Sequence, residues 1–395
     1  MRAASKKTEI IYVTSASVSG AALYSRCLCD AIWRKGFALH AVVPENFEYF
    51  ADMLAHGQNV SADLPPIRWK GPLGSIALIA AHWYRMLNRM RQISANQSSA
   101  RIVHFNFPAQ GPFAVVPVVL AKCMGFRVIV TVHDINPNRF MLPRFLRRVE
   151  LFLHDRSHTK ADYLIVHFQR ARQILADEKH FDAGRIAVIP HGRFAEETEE
   201  RRQDGIHDGP LNFLVFGSLR ENKNIAAIAQ AFLDTFSSNE PAVLTIAGYP
   251  ANTSLLAELE ALAARSDRRI RLNARWIENE ETRRLFQSAD CAILAYAETF
   301  QSASGVAALS LSSGVPLIAT RVGGISEIPS PDRMAILMET ASPDELKKAL
   351  RKAFTLERQT LHRMGEAGRA YAREHLSWNA IADKHIALYE RAGSE

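Results

Sequence analysis

The chain has 395 residues, of which 48% are hydrophobic and 23% charged, enough apolar material for two ordinary cores and too much for a generally disordered chain. The net charge of +7 is uneven: residues 1–195 hold 25 Lys and Arg against 13 Asp and Glu, whereas residues 196–395 hold 23 against 28. This uneven charge indicates that the first half binds an anionic surface or ligand. The alternative is that the basic residues only form a solvated surface. The lack of zinc-finger spacing, an RNP motif or a basic zipper speaks against a nucleic-acid partner.

The first half alternates short Val- and Ile-rich runs with helical patterns, which is typical of a parallel sheet covered on both faces. The predicted strands are Ile10–Thr14, Ala38–Val43, Arg101–Phe105, Arg127–His133, Tyr163–His167 and Ile186–Ile189, and the predicted helices are Ala21–Lys35 and Pro112–Met124. The polar stretch 195–210 then indicates a linker.

The second half restarts the alternation. Its predicted strands are Leu211–Phe216, Val243–Ala247, Ile270–Asn273, Cys291–Tyr296 and Pro316–Thr320, and its predicted helices are Ile225–Phe236, Leu255–Arg265, Glu280–Ser288 and Val306–Ser312. We therefore predict an α/β protein with two Rossmann-like doubly wound domains, 1–194 and 211–376. Ligands bind such sheets at the carboxyl ends of the strands, so we expect the domains to face a cleft.

The four cysteines, Cys27, Cys29, Cys123 and Cys291, show no zinc or disulfide pattern. We interpret them as core thiols in a reducing compartment. Met1–Lys7 is polar and the next apolar run is too short for a signal peptide, so we expect a cytoplasmic protein.

Two motifs of the second half suit a diphosphate. Gly217 follows a predicted strand and lets the backbone approach a ligand, while Arg220 and Lys223 place cations beside the N–H groups of the next helix. Ser304 precedes the predicted helix that begins at Val306, whose first amides can bind an anion. The alternatives are solvated basic residues and an ordinary serine N-cap.

Two further residues are candidates for contacts with hydroxyl groups. His133 ends a predicted strand and could bind or orient a hydroxylated substrate or transfer a proton; a structural role is the alternative. Glu327 follows the glycine pair Gly323–Gly324 and could accept hydrogen bonds from hydroxyls.

In this order, the motifs resemble those of the GT-B glycosyltransferases, and within them family 4. The resemblance runs from about Glu9 to Tyr389 and rests on Val132–Asp134, Ile189–Gly192, Gly217 to Lys223, Leu244–Gly248, Ser288–Asp290, Gly314–Pro316, Gly323 to Glu327 and Leu376–Trp378. It implies sugar transfer from a UDP- or GDP-sugar without a cofactor or a catalytic metal, since a metal-binding Asp-x-Asp is absent. It also implies a last helix, 377–395, that crosses back onto the first domain.

The resemblance assigns roles residue by residue. Arg220 and Lys223 match the pair that neutralises the donor diphosphate, and His133 matches a histidine near the reacting sugar. The other matches are the donor-binding Gly217, Gln301, Ser304, Gly305, Val306 and Glu327, and the acceptor-side loop residues Ser15, Ser19 and Gly20.

The chain departs from the family in one segment. Family members carry two Glu residues, separated by seven positions, before the Gly-x-Pro turn, and the second binds the donor ribose. Counted back from Gly314, the two positions are Gln301 and Leu309; counted from Glu298, the second is Val306. The second carboxylate is missing in either register, although Gln301–Gly305 resembles a variant found in bacterial polysaccharide enzymes. Retention of the anomeric configuration, as in family 4, and inversion both stay open.

Two basic amphipathic stretches could form a membrane face. Ser75–Ser94 carries an apolar stripe at helical spacing, and Arg139–Arg148 packs arginines among apolar residues. Either stretch could instead cover the sheet of the first domain. With the positive charge of this half, we predict a membrane face that includes Trp83, Arg85, Arg89, Arg147 and Arg148.

These expectations combine into a peripheral enzyme at the inner face of the plasma membrane. Its predicted partners are a nucleotide sugar, a lipid-linked saccharide acceptor and an anionic membrane surface, in bacterial exopolysaccharide, capsule or lipopolysaccharide synthesis. The alternatives are a nucleotide-sugar 2-epimerase, whose carboxylates we do not find, and a non-catalytic scaffold, which the missing Glu makes conceivable.

Overall fold

The computed structural model describes residues 9–66, 71–96, 102–107, 114–135, 144–193, 209–297, 302–329 and 331–395. The contacts divide the chain into two compact units, Met1–Gly192 with Trp378–Glu395, and Arg193–Ser377. Most of the stretch 195–210 lies outside the described residues, as do Met1–Lys7 and Gln301.

The first unit contains a seven-stranded parallel sheet of order β3-β2-β1-β4-β5-β6-β7. Its strands are β1 (Ile10–Thr14), β2 (Leu39–Pro44), β3 (Asn59–Leu64), β4 (Ile102–Phe107), β5 (Arg127–Thr131), β6 (Tyr163–Val166) and β7 (Ile186–Val188). Its helices are α1 (Ser19–Arg34), α2 (Phe50–Ala55), α3 (Gly71–Asn96), α4 (Val115–Cys123), α5 (Arg147–Thr159), α6 (Gln169–Asp177) and, at the end of the chain, α14 (Trp378–Ser394).

The second unit contains a six-stranded parallel sheet of order β10-β9-β8-β11-β12-β13. Its strands are β8 (Leu211–Phe216), β9 (Ala242–Ala247), β10 (Ile270–Asn273), β11 (Cys291–Leu294), β12 (Leu317–Thr320) and β13 (Ala335–Met338). Its helices are α7 (Ile225–Thr235), α8 (Thr253–Ala264), α9 (Asn279–Ser288), α10 (Gly305–Ser312), α11 (Pro331–Met334), α12 (Pro343–Thr355) and α13 (Arg358–His375).

Both faces of the second sheet are covered. Along β8, Phe213 and Val215 belong to one apolar cluster, whereas Leu214, between them, belongs to the other. Successive side chains of a strand point to opposite faces of the sheet. A parallel sheet that is covered on both faces therefore requires apolar residues at successive positions, without alternating polar ones. The two-domain α/β prediction is confirmed.

The C-terminal helix α14 is part of the first unit and packs against α1. Tyr389 is fully buried, and its hydroxyl lies 2.7 Å from Nδ1 of His104 on β4. The other ring nitrogen of His104 lies 2.7 Å from the Thr131 hydroxyl on β5. The end of the chain is thereby joined to the middle of the first sheet.

Helix α3 covers the first sheet with its apolar stripe. Four residues of the stripe are at most 6% exposed: Ile79, Met86, Met90 and Ile93. Trp83 packs against the same core, Arg85 forms an ion pair with Glu45, and Arg89 lies 3.1 Å from Asp63. The sheet therefore occupies the apolar side of α3, which gives no support to the predicted membrane face on this helix; that face stays a prediction.

Two smaller findings concern the cysteines and membrane spans. All four thiols are free; Cys29 and Cys291 are buried and Cys27 is half-buried, but Cys123 is exposed, so the core interpretation is wrong for it. Within the described ranges, no helix combines the length and apolar character needed to cross a bilayer.

Candidate active site

The strand order reverses at one place in each sheet, between β1 and β4 in the first unit and between β8 and β11 in the second. Loops that leave adjacent strands there run to opposite faces of the sheet and open a crevice at its carboxyl edge. The loops after β8 and β11 carry the predicted diphosphate residues. His133 follows β5, one strand beyond the reversal in the first sheet.

Two glycines bring the ends of β8 and β9 together. Gly217 has φ +98° and Gly248 has φ +150°, conformations that side chains disfavour. A Cβ at Gly248 would lie 1.8 Å from the carbonyl oxygen of Gly217, and one at Gly217 would lie 3.3 Å from both Lys223 Nζ and Val306 Cγ2. Three predicted residues, Gly217, Lys223 and Val306, therefore meet at one point.

Lys223 lies half-buried at the end of a 3₁₀ turn, Glu221–Lys223. Burial, and then the charge of Arg220, lower the pKa of Lys223 to about 8. Arg220 is exposed, and its Nε donates to the Ser218 hydroxyl at 3.0 Å. The two cations repel each other, which is the situation that a bound dianion relieves.

The turn that carries Lys223 is fastened to the segment after β11. Asn224 adopts a left-handed conformation, with φ +51°, and donates from Nδ2 to the Ala295 carbonyl at 2.8 Å. The amide of Ala297 donates to the Asn222 carbonyl at 2.9 Å. These bonds fix the lysine relative to the strand that leads into α10.

Helix α10 begins beside this lysine. The Ser304 hydroxyl caps the helix by accepting from the Ala307 amide at 3.1 Å, and it lies 3.0 Å from the Tyr296 hydroxyl. Lys223 Nζ lies 5.7 Å from the centre of the Tyr296 ring, above its face. Tyr296 thus contacts both the cap and the cation. Sequence reasoning placed it at a strand end but gave it no role.

The remaining predicted donor residues are less closely grouped. Leu309, one of the two positions at which the second carboxylate is missing, is half-buried against the apolar cluster under α10. Glu327 is exposed at the end of a 3₁₀ turn, Gly323–Glu327, and that turn is joined to the α10 segment by the Gly324 amide, which donates to the Ser302 carbonyl at 3.3 Å.

An open depression of about 380 Å³ lies at the carboxyl ends of β9 and β10. Tyr249 and Trp276 are among the residues that line it, and they are 63% and 49% exposed. Large exposed aromatic rings beside a backbone turn are suited to stacking on a planar ligand.

In the first unit, His133 belongs to a cluster of aromatic rings. Its ring centre lies 4.8 Å from that of His167, 6.4 Å from that of His191 and 5.0 Å from that of Tyr24. Burial, and then the charge of His167, hold the pKa of His133 well below its usual range. The ring is therefore neutral at physiological pH.

The hydrogen bonds of this cluster indicate which ring nitrogens carry a proton. His167 Nδ1 lies 2.9 Å from the Ile189 carbonyl, which only accepts, so Nδ1 carries the proton. His167 Nε2 then accepts from His133 Nδ1 at 3.0 Å. The other ring nitrogen of His133, Nε2, lies 2.9 Å from Oδ1 of Asn106, whose Nδ2 donates to the Ser25 hydroxyl at 3.0 Å. A neutral His133 that donates from Nδ1 has its lone pair on Nε2, so the Asn106 amide has to be turned to bring its NH₂ group toward the ring and its oxygen toward Ser25.

His167 and His191 were not predicted as site residues, although each follows a strand of the parallel sheet, as His133 does. The strand-end rule that selected His133 would have selected them as well. His191 lies next to Gly192, where a Cβ would come within 2.4 Å of the Trp378 ring. The glycine is thus required by close packing of α14.

The loop after β1 is anchored by Ser15. Its hydroxyl lies 2.9 Å from Nε2 of the buried His82, whose Nδ1 donates to the Pro65 carbonyl at 2.8 Å. Ser15 is therefore the donor to His82. Gly20 is exposed in the first turn of α1, and the side chain of Ser19 lies outside the described residues.

Two curated relatives are similar to parts of the chain. An MMP α-(1→4)-mannosyltransferase of Mycolicibacterium hassiacum is 33% identical over 117 residues, 29% of this chain and 28% of that protein. A D-inositol 3-phosphate glycosyltransferase of Geodermatophilus obscurus is 26% identical over 261 residues, 63% of this chain and 56% of that protein. The chain thus matches about a quarter and about half of the length of these relatives.

Solved structures show the same fold. Sucrose-phosphate synthase of Thermosynechococcus elongatus has a TM-score of 0.76 at 16% identity, with 97% of this chain and 98% of that chain covered. The Anabaena protein HepE in complex with UDP has a TM-score of 0.72 at 13% identity, with 97% and 100% covered. At such identities the likeness shows the architecture alone.

Two family models match the chain, one in each half. Residues 18–196 match the glycosyltransferase family 4 model, and residues 210–355 match the model of glycosyl transferases group 1. These stretches contain 179 and 146 residues, so together they account for 325 of 395. The chain belongs to the GT-B glycosyltransferases of the group 1 and family 4 type.

Proposed function

We propose that this chain transfers a sugar from a UDP- or GDP-sugar to a hydroxyl group of a lipid-linked saccharide, with retention of configuration, in the assembly of a bacterial exopolysaccharide, capsule or lipopolysaccharide. The relatives named as a mannosyltransferase and an inositol-phosphate glycosyltransferase support the reaction class. The UDP complex of HepE supports a nucleotide donor.

The observation that carries this proposal is the convergence of Gly217, Lys223 and the start of α10. A flexible glycine backbone, a half-buried ammonium group and the N-terminus of a helix meet there. Each of these features favours a phosphate. The exposed Tyr249 and Trp276, at the ends of the next two strands, offer a surface for the nucleotide base.

The residues suggest how the leaving group departs. When the bond between the sugar and the diphosphate breaks, negative charge builds up on the phosphate oxygens. Lys223, Arg220 and the first amides of α10 stabilise this charge, and because they are held in place they need not reorganise during the reaction. In the first unit, the lone pair of His133 Nε2 can accept a proton or a hydrogen bond from a sugar hydroxyl that replaces the Asn106 amide.

The test is release of UDP or GDP from a panel of nucleotide sugars, with and without a lipid-linked saccharide extract. The proposal predicts nucleotide release that depends on the acceptor. An epimerase would convert the donor without an acceptor, whereas a scaffold would leave every donor intact; either result would exclude the proposal.

The membrane part of the proposal now rests on α5 and the 3₁₀ turn before it, Arg144–Leu146. Of the predicted stretch Arg139–Arg148, residues 144–148 are described. Phe145, Val149 and Phe152 recur at helical spacing and are 82%, 48% and 55% exposed. The same segment also carries four exposed arginines: Arg144, Arg147, Arg148 and Arg156. Apolar rings flanked by arginines complement a surface of anionic lipid.

We predict that Phe145→Ser combined with Arg148→Glu abolishes sedimentation with phosphatidylglycerol vesicles, because it removes an apolar anchor and reverses a charge. The matched control is Tyr84→Ser with Arg91→Glu, an equivalent exposed pair on α3, which should sediment like wild type. Vesicle binding by the α5 variant at the wild-type level would refute the assignment.

A further inference from the structure

Three side chains with metal-binding groups lie on one turn of the helix α5, away from the strand ends that carry Lys223 and His133. His154, Asp155 and His158 each offer a ligand atom, and these atoms lie within 4.8 Å of one another. Residues four apart lie on the same face of a helix, so the two imidazoles stand one above the other, with ring centres 4.6 Å apart.

Two nitrogen atoms of this cluster lack a hydrogen bond. Nδ1 of His154 and Nδ1 of His158 are buried and have no hydrogen-bond partner among the described residues. The side chain of His154 is 13% exposed and His158 is 6% exposed. Buried polar atoms are nearly always paired, whereas Nδ1 of His158 has no partner and Nδ1 of His154 lies 3.6 Å from Oδ1 of Asp155, so both nitrogens are open to a ligand.

The chemistry of these side chains suits a cation. An imidazole nitrogen and a carboxylate oxygen each offer a lone pair, and both are common zinc ligands.

We propose that His154, Asp155 and His158 form a zinc site. Two imidazoles and one carboxylate are a ligand set that zinc prefers, with a fourth position for water. Bonds of about 2.0–2.2 Å in a tetrahedral arrangement place ligand atoms about 3.3–3.6 Å apart. Side-chain rotation on this single helical turn has to close the present spacing by a little over an ångström.

Lys179, which follows α6, competes for the carboxylate. Its Nζ lies 2.8 Å and 3.0 Å from the two oxygens of Asp155. A zinc ion would take over one of these oxygens and reduce the hold of the ammonium group. Removing the lysine charge should therefore tighten zinc binding, an effect opposite to that of losing a structural ion pair.

The experiment is titration of the full, tag-free, metal-depleted chain with Zn²⁺ against a chromophoric chelator, with Co²⁺ absorption to report tetrahedral geometry. We expect one zinc ion per chain, binding at least about tenfold weaker in His154→Gln and in His158→Gln, and tighter binding in Lys179→Met. The matched control, His56→Gln, removes a histidine that lies 3.4 Å from Asp52 and is 50% exposed, and it should bind like wild type.

Absence of stoichiometric zinc binding in the wild type, or binding that neither histidine variant weakens, would overturn the site. Circular dichroism checks that the variants fold. If His158→Gln unfolds, the zinc affinity of the more exposed His154→Gln variant and the Co²⁺ spectrum of the wild type test the site instead. The readout is metal binding, so it is independent of the proposed sugar transfer.

Discussion

Replacing Lys223 with Met is expected to lower kcat by about 100-fold or more. The substitution keeps an unbranched side chain, one atom shorter, but removes the charge that lies beside Gly217. A fixed cation that stabilises charge on the leaving group contributes a few kcal/mol to the transition state, which corresponds to about 100-fold or more in rate. Arg220→Ala should show a loss of similar size.

The matched control is Lys347→Met on α12, a lysine whose Nζ lies 3.1 Å from Asp344. It should leave kcat unchanged. Steady-state kinetics with the preferred donor provide the measurement, and wild-type turnover by both Lys223→Met and Arg220→Ala would refute the diphosphate assignment.

The pH dependence provides a second check on Lys223. Burial lowers its pKa to about 8 in the free protein, so the lysine is a cation below that pH and loses its charge above it. We expect kcat/KM, which reports the free enzyme, to fall as the pH rises through about 8. A bound diphosphate raises this pKa again, so kcat should fall only at higher pH.

The second large effect is expected for His133. His133→Ala should reduce kcat/KM by about 100-fold, the lower range for a positioned proton acceptor. Because burial keeps the pKa of His133 well below its usual range, the wild type should lose no activity through this group between pH 8 and 6. A histidine with an ordinary pKa would instead produce an acid limb near 6.5.

His56→Gln, at an exposed position of the same unit, is the control for His133 and should leave kcat/KM unchanged. Full activity of His133→Ala would mean that the ring only packs against Tyr24 and His167. An acid limb near pH 6.5 that disappears in the His133→Ala variant would contradict the neutral ring.

The buried parallel strands could be predicted closely from the sequence. β1, β8 and β10 have the predicted bounds, because uninterrupted apolar runs between turn residues leave few alternatives. β3 was missed. It is an edge strand, Asn59–Leu64, in which only Ser61 and Leu64 are buried, so its sequence carries no apolar run.

Amphipathic periodicity does not reveal what covers a face. The stripe on α3 has the spacing of a membrane helix, but the sheet of the first unit lies against it. The stripe of Phe145, Val149 and Phe152 has the same spacing and faces outward. Only tertiary packing distinguishes the two, because core and lipid both select apolar residues.

Site residues that directly follow a strand could be predicted from the sequence. Contacts between segments that are distant in the chain could not. Gly217 and His133 follow strands, so the sequence places them at the carboxyl edge. The contact of Gly217 with Val306 depends on β8 and β11 being neighbours, which the strand order provides. The roles of Tyr296 and His167 arise from such contacts and have no motif.

The most direct test of the donor site is thermal unfolding of the wild type and of Lys223→Met with UDP, GDP or CMP. A ligand at about 100 times its Kd adds about 2.7 kcal/mol to the free energy of unfolding, a readily measured shift in Tm. We predict that UDP or GDP, but not CMP, stabilises the wild type and that Lys223→Met loses most of this shift. No shift with either diphosphate, or an equal shift in the variant, would contradict a diphosphate site at Lys223.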